Sequence, residues 1–155
     1  MSQTIRLARK IQSDSIVDGE GLRCVLWTQG CPHNCPGCHN PSTHSFTAGV
    51  ITPVEEIIQE LSQLLYHDGL TVSGGEPMEQ AEALIPILEY AQANNLNIWC
   101  YTGYTLEELQ EKNNPSINRV LELIDILVDG KFILAEKTLS LPYRGSKNQR
   151  IIKLK

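Results

Sequence analysis

The stretch Gly30-Cys31-Pro32-His33-Asn34-Cys35-Pro36-Gly37-Cys38-His39-Asn40 places three of the chain's five cysteines at the spacing C-x3-C-x2-C. Pro32, Pro36 and Gly37 hold the stretch off helix and strand, so thiolates this close in sequence can turn inward on one centre from a tight loop. Four chemistries suit that layout. A structural zinc ion needs a fourth donor, which His33, His39 or His44 could supply. Cys35-Pro36-Gly37-Cys38-His39 is formally the C-x-x-C-H pattern of covalent haem attachment, but the N-terminus shows no apolar core with a cleavage site for export. Disulfides or buried free thiols are the plain alternative, and an odd cysteine count argues against a disulfide framework. The fourth is a 4Fe-4S cluster held by three cysteines, with one iron left open to a ligand that is not protein.

With 155 residues, 41% of them hydrophobic, the chain has apolar mass for one core and is expected to form a single domain over 1–155. The longest apolar run, Leu121 to Val128, is interrupted by Glu122 and Asp125, so no membrane span is expected. Without a signal segment the expected compartment is cytoplasmic, where reduced thiols suit a cluster. The net charge of −5 is unevenly spread: residues 131–155 hold seven basic side chains and one acidic. No aromatic interleaving or nucleic-acid module accompanies them, so an anion-binding or partner-facing edge, or simply a solvated strand, is expected and nucleic acid is not.

Along the chain, Thr4 to Gln12 and Gly21 to Thr28 read as strands, and the second delivers the chain into the cysteine loop. Cys24, inside that strand, and Cys100 in a later one read as core side chains. Thr52-Pro53-Val54-Glu55 predicts a capping box with proline at the first helical position, followed by apolar residues at helical spacing. Further strands are expected at Leu70 to Ser73, Asn97 to Thr102, Asp125 to Asp129 and Arg150 to Leu154. Helical stretches are expected over Met78 to Asn94, with Pro86 marking a break or fresh start, after Thr105, where Thr105-Leu106-Glu107-Glu108 repeats the capping-box signal, and from Pro115 to Ile124. Alternating strands and helices with apolar strand centres mean an α/β fold with a parallel sheet. A closed eight-unit barrel takes about 250 residues, so this chain has room for an open, partial (βα) barrel of about five units. The cysteine loop, Gly74-Gly75-Glu76, Tyr101-Thr102-Gly103 and Asp129-Gly130-Lys131 all follow expected strands, and in such folds they converge on one face.

Ser73-Gly74-Gly75-Glu76-Pro77 lacks the spacing of a P-loop or a dinucleotide fingerprint. Its glycines let backbone approach a ligand, and carbonyls with Glu76 could hold an ammonium group. Taken with the cysteine loop, this turn resembles the radical S-adenosylmethionine superfamily. The motifs Asp18-Gly19-Glu20-Gly21-Leu22-Arg23, Tyr101-Thr102-Gly103-Tyr104, Leu127-Val128-Asp129-Gly130-Lys131-Phe132 and Arg144-Gly145-Ser146-Lys147-Asn148-Gln149 extend the likeness over roughly Ile11 to Ile151. In that order they are similar to the glycyl-radical-enzyme activases that act on anaerobic ribonucleoside-triphosphate reductase; pyruvate formate-lyase activase is the runner-up, and a zinc-stabilised binding module the rival of another class.

The resemblance implies a truncated radical S-adenosylmethionine fold. It also implies a 4Fe-4S cluster on Cys31, Cys35 and Cys38, and S-adenosyl-L-methionine oriented by Gly74, Gly75 and Glu76. Asp129 and Lys131 are implied contacts to the cofactor's carboxylate and ribose region. The superfamily's usual aromatic before the third cysteine is Gly37 here, so an adenine contact falls to its backbone or to His39. The implied chemistry is one-electron cleavage of S-adenosylmethionine to methionine and a 5'-deoxyadenosyl radical, which takes a hydrogen from a glycine of the partner reductase. An electron donor such as flavodoxin is implied as well. The role of Arg144 to Gln149 does not follow from the residues.

Overall fold

The computed structural model describes residues 3–15, 18–33, 44–63, 67–138 and 141–155. In chain order come β1 (Thr4–Leu7), β2 (Gln12–Ser15), β3 (Arg23–Thr28), β4 (Val50–Pro53) and α1 (Val54–Ser62). Then follow β5 (Gly69–Gly74), α2 (Ala81–Ala93), β6 (Asn97–Tyr101), α3 (Leu106–Lys112), α4 (Pro115–Leu123), β7 (Ile126–Asp129) and β8 (Arg150–Lys153). Eight strands form one sheet in the order β4-β1-β3-β5-β6-β7-β8, with β2 paired to β3.

The fold is α/β. Its parallel centre is β3, β5, β6 and β7, each joined to the next through helix, and the strands at both ends run antiparallel. The parallel centre is thus one strand short of the five units expected from length. After β7 the described connection holds only a 3-10 turn, Leu134–Glu136, in place of a crossover helix, so the chain returns as the antiparallel strand β8. The expected first strand is likewise divided: β1 pairs with β3 and β4, while β2 pairs with β3 alone.

Strand periodicity sorts the core. Cys24, Leu26, Leu70, Val72, Ile98, Cys100 and Leu127 face the helices and pack with Ile57, Leu61, Leu84, Ile87, Leu88, Leu109, Val120 and Leu123. Val25, Trp27 and Trp99 point to the other face and are also buried. There Arg23, only 1% exposed, ties three strands together. It donates to Thr71 Oγ1 (2.7 Å), Asn97 Oδ1 (3.0 Å) and the carbonyls of Glu20 (2.8 Å), Leu70 (3.0 Å) and Asn97 (2.6 Å), with its guanidinium 5.5 Å from the Trp99 ring. Desolvation lowers its pKa, and nearby acidic groups, Asp68 and Asp125 among them, offset the loss of water only in part. The Asp18-to-Arg23 motif therefore reads, structurally, as the turn that wraps this cation.

Two helix starts differ from the sequence reading. Thr52 does not cap α1: it pairs with Ile5 in the β4–β1 ladder, and its hydroxyl donates to Val50 O at 3.4 Å. Pro53 occupies the cap position without a side-chain bond, so edge pairing has displaced the capping box. Pro86 neither breaks nor restarts α2, which runs through it after a 3-10 turn at Pro77–Gln80. The Glu82 carbonyl, deprived by Pro86 of its helical donor, accepts from Gln3 Nε2 at 3.4 Å.

Candidate functional site

β3, β5, β6 and β7 all end at the same edge of the sheet, and the four segments that follow them meet there. The meeting point is Glu76, whose side chain is fully buried. Oε1 accepts from His33 Nε2 (2.6 Å) and Gly103 N (2.7 Å), and Oε2 accepts from Thr102 Oγ1 (2.8 Å) and Met78 N (3.1 Å). Because the carboxylate accepts from every neighbour, His33 Nε2 carries the hydrogen. The fourth segment joins through Gly130 N, which donates to Tyr104 O at 3.0 Å. Convergence of these loops, expected from the sequence, is therefore made by specific bonds.

Local chemistry explains why the turn folds this way. Gly74 has φ +115°, and a Cβ there would lie 2.2 Å from Thr28 O, so only glycine lets β5 pass this close to β3. Gly75 N then donates to Thr28 O (2.9 Å) and Glu76 N to Gly30 O (2.7 Å), fastening the turn to the residues before Cys31. Gly103 is needed for a different reason: a Cβ on it would fall 2.4 Å from His33 Cδ2. The imidazole fills that notch and meets the Tyr104 ring edge-on at 4.5 Å. Tyr104 in turn donates its hydroxyl to Glu79 Oε1 (2.6 Å) beneath Lys112, and desolvation with that bond pushes its pKa up.

Among the expected metal ligands, Cys31 is half-buried at the end of β3, while Cys35 and Cys38 lie outside the described residues, as do Gly37 and His39. Cys31 N donates to His44 O at 3.1 Å, and Gln29 Nε2 to Ser45 O at 2.7 Å, so the two ends of the intervening segment are held together. Cys24 and Cys100 are fully buried on the helix side. Burial raises the Cys24 thiol to about 11 and pushes Cys100 higher still, disfavouring the thiolate that iron or zinc requires. The donor set at this edge, the half-buried Cys31 with two more cysteines in the segment it opens, fits an iron–sulfur cluster.

Two expected cofactor contacts are differently engaged. A carboxylate has about four acceptor sites, and Glu76 takes four protein donors. Asp129, 1% exposed, is likewise committed. It accepts from Arg150 Nε (3.0 Å), Arg150 Nη2 (2.5 Å) and Leu106 N at the start of α3 (2.8 Å). Lys131 is exposed, and Gly74 and Gly75 are half-buried beside the cysteine segment.

The stretch Arg144 to Gln149 gains a structural role as a buttress for the Asp129–Lys131 turn. Gln149 Nε2 donates to Gly130 O (3.0 Å) and Asn148 Nδ2 to Lys131 O (2.8 Å), while Gln149 Oε1 accepts from Gly145 N (2.8 Å) and Ser146 N (3.2 Å). The sequence offers His33 only as a fourth zinc donor and the Tyr101-Thr102-Gly103 turn only as one of the converging loops, and it gives Arg150 no site role; their bonds to Glu76 and Asp129 are seen in the structure alone. The position of His33 inside the cysteine spacing was the one signal available for it.

Residues 17–152 match a family described as a 4Fe-4S single cluster domain. The Haemophilus influenzae anaerobic ribonucleoside-triphosphate reductase-activating protein is 38% identical over 148 residues, covering 90% of this chain and 93% of that protein. The chain belongs to this activating-protein family. The like-named Vibrio cholerae protein is 40% identical over 144 residues, covering 88% of this chain and 90% of its own length. The activating protein of Enterobacteria phage T4 is 33% identical over 149 residues, covering 92% and 90%. Among the described residues, no helix of this family member is long and apolar enough to cross a membrane.

Proposed function

We propose that this chain activates anaerobic ribonucleoside-triphosphate reductase by reductive cleavage of S-adenosylmethionine, leaving a glycyl radical on the reductase. The observation that carries the reading is identity of 38% sustained over 90% of the chain to a protein of that name. Cys31, Cys35 and Cys38 hold the 4Fe-4S cluster. Gly74 and Gly75 would bring backbone to the methionine portion of the cofactor, Lys131 would serve its carboxylate and ribose region, and an adenine contact would fall to the Gly37 backbone or to His39. When bound, the two cofactors would supply the chemistry: one-electron cleavage of a carbon–sulfur bond of S-adenosylmethionine, releasing methionine, with the deoxyadenosyl fragment taking the hydrogen of the partner's glycine and leaving as 5'-deoxyadenosine. A low-potential donor such as flavodoxin provides the electron, and the compartment is the cytoplasm.

This chain's own residues bind and orient. The glycine turn approaches from β5, and the Asp129–Lys131 turn approaches from β7, held by Arg150 and the Arg144-to-Gln149 segment. In the decisive experiment, the reconstituted protein is mixed without oxygen with S-adenosylmethionine, a strong reductant and the reductase, and electron paramagnetic resonance is recorded. A glycine-centred radical on the reductase, absent when Cys31→Ala replaces the wild type, is expected. Cleavage of S-adenosylmethionine with no such radical, and a small metabolite consumed instead, would overturn the activase reading.

A further inference from the structure

Glu76 grips Cys31 from both sides. Its backbone N–H donates to the carbonyl of Gly30, the residue before Cys31, at 2.7 Å, and its carboxylate accepts from the ring of His33, two residues after, at 2.6 Å. We propose that Glu76 is a positioning residue for the cysteine loop, acting through His33 to fix the direction in which Cys31 presents its thiolate, and not a side-chain ligand of the cofactor's ammonium group. The inference rests on reading this loop as the cluster site.

The burial chemistry favours this role. A carboxylate kept to receive a ligand's ammonium group holds acceptor capacity toward the open site, whereas Glu76 is 0% exposed and its four acceptor sites are filled from within the chain. Burying a charge this completely is tolerated only when it is fully hydrogen-bonded, and every donor here comes from a loop that must be held in register. His33 is equally constrained, with its side chain 5% exposed between Glu76, the Tyr104 ring and the space left by Gly103. Thr102 shows the same economy: its hydroxyl accepts from Tyr104 N (3.1 Å) while donating to Glu76, so the turn that carries Gly103 is shaped by the carboxylate it serves. The ammonium contact then passes to backbone carbonyls of the glycine turn.

The test uses the full-length protein carrying His33→Ala, His33→Gln, Glu76→Gln or Gly103→Ala. Each is reconstituted with iron and sulfide without oxygen and checked for native circular dichroism. Three quantities are read: iron release to a ferrous chelator, the paramagnetic resonance spectrum of the reduced cluster, and the dissociation constant for S-adenosylmethionine. Losing one charge-assisted bond corresponds to about 10-fold or more in the equilibrium it supports, so His33→Ala should release iron about 10-fold faster and shift the cluster spectrum. His33→Gln, which keeps a donor, should recover most of the wild-type behaviour. Gly103→Ala should reproduce the His33→Ala spectrum from the opposite side of the ring, and His33→Ala combined with Glu76→Gln should be no worse than the more damaging single change. If His33→Ala keeps wild-type iron retention and spectrum while Glu76→Gln alone weakens S-adenosylmethionine binding, the positioning role is wrong and the ammonium role stands. A wild-type protein that takes up zinc but no iron and sulfide would overturn the cluster reading itself, an outcome distinct from the first.

Discussion

Burial sorts the described cysteines by chemistry. Cys24 and Cys100 sit in strands on the helix side at 0% exposure, where desolvation keeps both protonated, while Cys31 is half-buried beyond the end of β3. Cys31→Ala should therefore lose bound iron, and Cys24→Ala and Cys100→Ala should keep it at a cost of about 1 kcal/mol each in stability. Iron and sulfide analysis beside denaturant unfolding separates the two effects; iron loss in a folded Cys24→Ala protein would overturn the assignment. Asp129 makes a second residue-scale case. Its carboxylate is buried against Arg150 and the α3 N-terminus, so Asp129→Asn should cost about 1.5–3 kcal/mol in ligand-free stability. Were the side chain kept mainly for the cofactor, unfolding of the ligand-free protein would be unchanged.

At the scale of elements, local signals succeed where no neighbour competes. Thr105 and Glu108 form the full capping box of α3, as the sequence predicts, and Asn114 caps α4 ahead of Pro115. Thr105→Ala should cost about 1 kcal/mol, measured by thermal unfolding. Backbone bonding at Thr105 lowers the Glu108 pKa from its ordinary 4.5, so this stabilisation is present above that value and is lost as pH falls through the lowered folded-state pKa. The same signal failed at Thr52 because β1 offered that backbone a ladder, which outweighs one cap bond. Pro86 was read as a break because its missing N–H was counted and Gln3, 83 positions earlier, was not. Pro86→Ala should stabilise α2 by about 1–3 kcal/mol, since the Glu82 carbonyl regains its helical donor. A loss of stability would mean that packing of the ring outweighs the bond.

For the whole molecule, the antiparallel strands at both ends of the sheet decide the shape. Among the described residues β4 and β8 stop the succession of βα units, so no further parallel strand closes around the edge that carries the site. β8 carries Arg150 and Lys153 on the outer edge of the sheet, in a region with seven basic residues and one acidic, and such charges also deter edge-to-edge pairing. If this edge steers the reductase, the activation rate should fall as ionic strength rises beyond about 0.1 M, where the Debye length is about 10 Å. An activation rate indifferent to salt would remove the basic edge from the docking surface.

The sequence by itself determined the α/β class and the strands that end in the cysteine, glycine and aspartate turns, while thiol spacing alone left four chemistries open for the cysteine loop. Class and strands are carried by nearest-neighbour pattern: apolar alternation, proline and glycine placement. Tertiary structure decided how the charged residues are spent. Glu76 and Asp129 look from sequence like groups free to meet a ligand, yet each is buried and bonded to residues between 2 and 43 positions away. Burial reverses the reading because a charge removed from water must take its partners from whatever the fold brings beside it, and no local pattern records which donors those will be.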